Sequence, residues 1–313
     1  VRRGAAALEQ LWVRWRGPLG LAWNQDVRRL DVATPVTPNI QGVKEEALRL
    51  FARDALHGMK VQLDAGDGSE FHALRDFTAG MDHRAIDWKQ SARHGRLVAK
   101  ERRTERNHTI VLAIDSGRAM CEPVGGVPRV DAAINAALLL AYVGLKTGDR
   151  LSLFAFDARP RISTGAVSGV GAFGQLQRQA ARIDYAAEET NYTLALSSLA
   201  VDLDRRSLVV VFTEFTDPTG AALMVESVGR LLKRHVVLFV VLRDEELETL
   251  ARAEPQAPAD VSRAVAAAAL LRERELVLNR LRRMGVQIAE APSGGLASAV
   301  VAAYLDIKRR ELL

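Results

Sequence analysis

The sequence predicts an α/β fold: a doubly wound, mostly parallel sheet preceded by a β-rich accessory region. Three observations lead there. From residue 109 onward, short apolar strands alternate with helices of ten or more residues. The runs at 208–212 and 236–242 are almost unbroken Val, Leu and Phe, the composition of strands covered on both faces. Turn residues at 144–149 and Met284-Gly285 stop two of the helices. Right-handed crossovers in such a sheet place ligands at the carboxyl ends of the strands.

Taken in order, Leu11 to Trp15 alternates as a strand does, Gly17-Pro18-Leu19-Gly20 interrupts it, and 28–36 reads as a second short strand. Residues 44–59 carry Ala47, Leu48, Leu50, Phe51 and Leu56 at helical spacing, and 64–68, rich in Gly and Asp, reads as a loop. These and the segment up to 108 form the accessory region. In the main domain, 109–313, strands are expected at 109–114, 150–156, 208–212, 236–242 and 286–289. The helices that follow them are expected at 130–146, 173–183, 221–234, 262–284 and 296–310, with an antiparallel edge strand at 159–163. The alanine-rich 264–269 lies inside a helical pattern of about 25 residues, which implies protrusion from the body or packing across another subunit.

With 313 residues, 48% apolar and 26% charged, the chain has an ordinary globular composition and material for a large core. A single cysteine, Cys121, excludes an internal disulfide and a cysteine metal cluster, and it reads as an inert thiol. The net charge of +5 comes from arginines interspersed with acids, and aromatic residues are 5% of the chain. Neither a nucleic-acid-binding face nor a base-stacking platform follows. No run of eighteen apolar residues is present, so no membrane span is expected in this chain. The six histidines (His57, His72, His83, His94, His108, His235) show no ligand spacing. Asn107 and Asn191 stand in glycosylation-type tripeptides, which have meaning only in a secreted context.

The segment 70–105 concentrates charges, glycines and a tryptophan just ahead of the first apolar strand. Its residues Arg75-Asp76-Phe77, Gly80, Asp82, Arg84, Ile86-Asp87-Trp88, Ser91-Ala92-Arg93, Gly95, Leu97, Lys100 and Glu105 resemble the hallmark segment of the bacterial domain-of-unknown-function 58 family. Arg16 to Leu21 resembles that family's upstream β segment. The resemblance implies a von Willebrand factor A-type domain, and related proteins often carry hydrophobic helices upstream. The expected location is therefore cytoplasmic, or the inner face of the cell membrane should an anchor precede Val1.

In that fold a Mg2+ ion sits above the carboxyl edge of the sheet, and the resemblance assigns it to Asp115, Thr190 and Glu214, with Asp217 a further acidic position. The family's Asp-x-Ser-x-Ser reads here Asp115-Ser116-Gly117-Arg118-Ala119, so two hydroxyl ligands are missing. Two readings stand at this stage. One is a weakened metal site completed by water or by a partner's carboxylate. The other is a hydrogen-bonded polar cluster, with Arg118 or another base supplying positive charge. In the segment 70–105, Arg75, Asp76, Asp82, Arg84, Asp87 and Arg93 are read as a structural clasp of ion pairs and turn-stabilising bonds. Trp88, Ile86, Leu97 and Val98 are expected to anchor it in the core.

Gly169-Val170-Gly171-Ala172-Phe173-Gly174 spells a dinucleotide-type glycine pattern, but the residues before it are too polar for a central strand, and a loop is the expectation. The function expected is a non-enzymatic adaptor, and the resemblance implies a MoxR-type AAA+ ATPase as partner in complex assembly or envelope maintenance. The competing class is a metal-dependent hydrolase or a nucleotide-binding protein at the same edge of the sheet.

Overall fold

The computed structural model describes residues 4–36, 45, 65–77, 86–103, 107–215, 218–254 and 256–313. The chain divides into two compact units, Val1–Ala47 with Thr109–Leu313, and Leu48–His108. The expected helix at 44–59, apart from Glu45, and Asp82, Arg84 and Asp217 lie outside the described residues.

In the larger unit, strands β1 (Gly4–Arg16) and β2 (Trp23–Val36) pair as a long antiparallel hairpin, closed by a turn in which Gly20 has φ 64°. The two short strands expected there are thus 13 and 14 residues long. The smaller unit holds β3 (Ala65–Asp76), helix α1 (Trp88–His94) and β4 (Val98–Arg103), with β3 and β4 antiparallel. The loop expected at 64–68 is therefore strand for most of its length. Its glycines fall where the register shifts between Ala65 and Glu70, so their freedom is used inside an irregular ladder.

The clasp also differs from expectation. Asp87 caps α1 by accepting from the Lys89 and Gln90 amides at 3.0 and 3.1 Å. Ser91 receives the Val98 amide at 2.9 Å, and Gly95, at φ 64°, ends the helix. Ile86, Val98 and Ala99 are buried, but Trp88 is 69% and Leu97 47% exposed, so those two anchor nothing. The described ion pair joins Asp76 to Arg96 at 2.8 Å in the open, Arg93 is exposed, and Arg75 stands opposite Ala99 in the ladder. Among the described residues, capping and ladder hydrogen bonds hold this segment.

The main sheet is built from β5 (Thr109–Asp115), β8 (Arg150–Phe156), β9 (Pro160–Ser163), β10 (Ser207–Phe212), β11 (Val236–Leu242) and β12 (Gln287–Ala291). Their order is β12-β11-β10-β5-β8-β9, parallel throughout except for the antiparallel edge β9. Helices α2 (Arg118–Cys121), α3 (Arg129–Lys146), α4 (Phe173–Ala181), α5 (Tyr192–Asp202), α6 (Pro218–Leu231), α7 (Glu245–Arg252), α8 (Pro258–Arg283) and α9 (Leu296–Arg309) connect the strands, and a tiny hairpin, β6 (Pro123–Val124) and β7 (Val127–Pro128), precedes α3. This is the architecture that the von Willebrand factor A-type resemblance implies.

Alternation along the strands feeds two apolar layers. Val111, Ala113, Val209, Val211, Val237, Phe239 and Val241 pack with Leu196, Met224, Val228, Leu278 and Leu281 of α5, α6 and α8. The intervening Ile110, Leu112, Ile114, Val210 and Leu238 are equally buried. Gly144 of α3 lets the Leu151 and Ile110 side chains come within 3.0 and 3.3 Å of where its Cβ would stand. Of the 26 residues of α8, only Ala267, Leu278 and Leu281 are buried. No described helix is long and apolar enough to cross a membrane.

Candidate functional site

Parallel strands end on the same side, so Asp115 on β5, Asp157 after β8, Thr213-Glu214 after β10 and Asp244 after β11 share one rim. Asp115 is fully buried and sits at its centre. Its Oδ1 accepts from the Thr190 hydroxyl at 2.7 Å and the Gly117 amide at 2.8 Å, and its Oδ2 accepts from the Thr213 hydroxyl at 2.5 Å. Burial raises its pKa to about 6, against the pull of these three donors, and Asp157 nearby adds to the rise.

Thr190 reaches this position because its loop hangs on the neighbouring strand ends. The Arg118 amide donates to Glu188 O, the Ala186 amide to Ser116 O, and the Asn191 amide to Asp157 O. Asn191 then caps α5 by accepting from the Leu194 amide at 3.0 Å, a structural use for a residue that also stands in a glycosylation-type tripeptide. Thr213 is positioned by Tyr192, whose hydroxyl lies 3.2 Å from Thr213 Oγ1 and donates to Glu214 O at 2.8 Å.

Of the three residues assigned from the resemblance, Asp115 and Thr190 meet directly, while Glu214 turns elsewhere. Its carboxylate accepts from the Phe215 amide and lies 3.7 Å from Arg274 Nε. Burial raises its pKa, and Arg274 and Arg129 oppose that rise. The base beside the rim is therefore not Arg118, which pairs with exposed Glu189. Ser116 is spent on Phe156 O at 3.1 Å. Gly117 has a specific consequence: a Cβ there would overlap the Thr190 hydroxyl and come within 3.1 Å of Asp115 Oδ1. Among the described residues, no group of three or more His, Cys, Asp or Glu side chains could hold a metal ion.

Two more clusters share the rim. Asp157 receives Arg161 Nε at 2.6 Å, and Arg161 continues to Glu188 at 3.0 Å. Buried Arg129 joins Asp244 at 2.7 Å to Glu122 at 3.2 Å, and Asp244 in turn caps α7 through the Leu247 amide. Sequence reasoning found none of Thr213, Arg274 or Arg129; the only signal was the position of Thr213 just past an apolar strand. The glycine run at 169–174 leads from a bridge between Val167 and Leu151 into a short 3-10 turn and α4, and the last strand before it is the edge strand β9. That is not the central strand-to-helix turn that a pyrophosphate needs.

A family model described as "Protein of unknown function DUF58" matches residues 73–268. Among solved structures, an aerotolerance-related membrane protein from Bacteroides fragilis is 14% identical, with 64% of this chain and 99% of that one covered and a TM-score of 0.43. BatB from Bacteroides thetaiotaomicron is 12% identical over 64% and 99% of the two chains, with a TM-score of 0.37. A von Willebrand factor type A protein from Catenulispora acidiphila is 15% identical over 64% and 42%, with a TM-score of 0.35. Among curated proteins nothing matches.

Proposed function

Starting from the fact that this chain belongs to the family of proteins of unknown function DUF58, we propose that it is a non-enzymatic adaptor whose sheet rim binds another protein without a metal ion. The partner is a MoxR-type AAA+ ATPase, and the setting is complex assembly or envelope maintenance. The choice of partner follows from the family resemblance alone.

The observation that carries the metal-free reading is the direct contact of Thr190 with Asp115 across the space a side chain at Gly117 would fill. Mg2+ requires near-octahedral oxygen coordination. Here positions 117 and 119 offer no side-chain oxygen, both oxygens of Asp115 are bonded to protein donors, and Glu214 faces Arg274. The residues present do not fit the ion, and no step of the function passes through it. Three donors converging on one carboxylate make a fixed polar floor, a feature suited to presenting a surface rather than to turnover.

Melting in the presence of Mg2+ or Mn2+ tests the first half. A site filled at a hundred times its Kd adds about 2.7 kcal/mol of stability. We expect an unchanged Tm; a saturable rise that vanishes in Asp115→Ala would restore the metal reading. Affinity capture from the native host tests the second. Co-purification of a AAA+ ATPase is expected to weaken in Thr190→Ala and Glu214→Ala. Retention in both, with loss in variants of residues 86–98, would move the contact to the clasp, and substrate turnover by purified protein would end the adaptor reading.

A further inference from the structure

At the tip of the β1–β2 hairpin two leucines are almost fully exposed, Leu19 at 81% and Leu21 at 87%. The turn Gly17-Pro18-Leu19-Gly20-Leu21-Ala22 contains no polar side chain. It also satisfies much of its own backbone: the Gly17 amide donates to Ala22 O at 3.1 Å and the Gly20 amide to Gly17 O at 2.9 Å, while Pro18 has no N–H. A single exposed leucine is ordinary. A turn that projects two of them and keeps amides occupied suits an apolar surrounding, where open donors are costly.

Behind the tip the chemistry is layered. Trp15 and Trp23, about half exposed, flank the turn. Strand pairing sets Arg16 opposite Trp23 and Arg14 opposite Gln25, and the two guanidinium groups lie 4.6 and 4.9 Å from the Trp23 ring centre. From residue 10 to residue 25 the chain carries these two cations and no acid. On β2 the first acid is Asp26, and Arg28 holds it at 3.2 Å. Aliphatic, then indole, then guanidinium is the order met on passing from the acyl chains of a bilayer leaflet through its interface to the phosphates. Peripheral segments sink about 5–10 Å, and a strand residue spans about 3.3 Å, so a tip at that depth brings Trp15 and Trp23 to the headgroups. A second copy docked tip to tip would set Arg14 and Arg16 against their own counterparts. A nucleic acid would leave both leucines without a use.

We propose that the hairpin tip is a membrane-contact site for an anionic phospholipid bilayer. Leu19 and Leu21 enter the acyl boundary, Trp15 and Trp23 sit in the interface, and Arg14 and Arg16 meet lipid phosphates. The contact is peripheral and needs no spanning segment. It uses none of the residues of the Asp115 rim and does not rest on the adaptor reading.

The test uses the full chain with Trp88→Phe, an exposed position, which leaves tryptophan only on the hairpin at Trp12, Trp15 and Trp23. The probes are vesicles of equal parts phosphatidylglycerol and phosphatidylcholine, and vesicles of phosphatidylcholine alone. Flotation with the anionic vesicles is expected, with a blue shift of tryptophan emission and quenching by lipid brominated on its acyl chains. Leu19→Ser and Leu21→Ser should each lower partitioning about tenfold at unchanged Tm. Arg14→Gln and Arg16→Gln should each lower it about fivefold on anionic vesicles and weaken its dependence on salt. Protein that does not float, emission that brominated lipid leaves unquenched, leucine variants that bind as the parent does, or equal binding to both vesicles would each overturn the proposal. A dimer seen by light scattering and lost in the leucine variants, without vesicle binding, would give the tip to a second copy instead. Tighter binding of a single-stranded oligonucleotide than of vesicles would give it to nucleic acid.

Discussion

Two aspartates of the main sheet are wholly buried, at opposite ends of adjacent strands, and they are neutralised in different ways. Asp115, at the carboxyl end of β5, is surrounded by two hydroxyls and an amide, with no cation bonded to it. Asp149, just ahead of β8, is bonded by Lys308 at 2.9 Å and by the Tyr304 hydroxyl, with Thr147 beside it. Tyr304 and Lys308 both belong to α9, so this second cluster ties the last helix to the turn after α3. Burial and the adjacent carboxylate raise the Tyr304 pKa, which keeps its hydroxyl a donor. An ion pair compensates Asp149 at the base of the sheet, whereas dipoles alone surround Asp115 at the opposite rim. Asp115 is held in place by its donors while its charge is left without a bonded counterion.

The comparison breaks most visibly if its strong side is cut. Lys308→Met leaves Asp149 buried and uncompensated, and should lower stability by about 3–5 kcal/mol in chemical denaturation. Asp149→Asn should cost less, because Lys308, 21% exposed, can turn to water. A cost for Lys308→Met below that of Asp149→Asn would contradict the account.

The weak side is read through pH. The folded-state pKa of Asp115, about 6, lies above the ordinary value of 3.8, so between those limits the folded protein holds a proton that the unfolded chain releases. Its contribution to stability is therefore greatest in acid and falls as pH rises from about 4 to 6. At 1.36 kcal/mol per unit, the loss attributable to this residue is roughly 3 kcal/mol. Asp115→Asn should erase it: the stability difference, variant minus parent, is expected to grow over that window and level off above it. A difference independent of pH would mean that Asp115 ionises as in water.

Next in size is the contact at Gly117. Gly117→Ala forces a methyl group into the Thr190 hydroxyl and should cost about 2 kcal/mol, as overpacking does. In a Thr190→Ala background the same change should cost clearly less, and the double-mutant cycle measures that coupling. Additive effects would show that the two positions do not touch. Smallest is the exposed pair of the accessory segment: Arg96→Ala should change stability by no more than about 0.5 kcal/mol.

How far the sequence anticipated this follows from the range of each interaction. The five parallel strands and the long helices were legible, since runs such as 236–242 are read locally. Helices α5 and α7 were not singled out, being short and embedded among polar residues, although Asn191 and Asp244 supplied cap signals. Residues 64–68 looked like a loop by composition, and only the pairing of Ala65–Asp76 with β4 makes residues 65–68 strand. In the site, Asp115 and Thr190 followed from the family pattern. Thr213 and Arg274 did not, because no sequence spacing announces a bond between residues 98 apart or the turn of Glu214 toward a helix sixty residues on.

The glycine at 117 also constrains how this rim can change. A serine placed there alone would displace the Thr190 hydroxyl, so adding an oxygen at this position begins with a loss of fit. Any side chain at 117 needs the 190 loop to retreat, and that retreat takes the Thr190 hydroxyl from Asp115. The two positions can change only together.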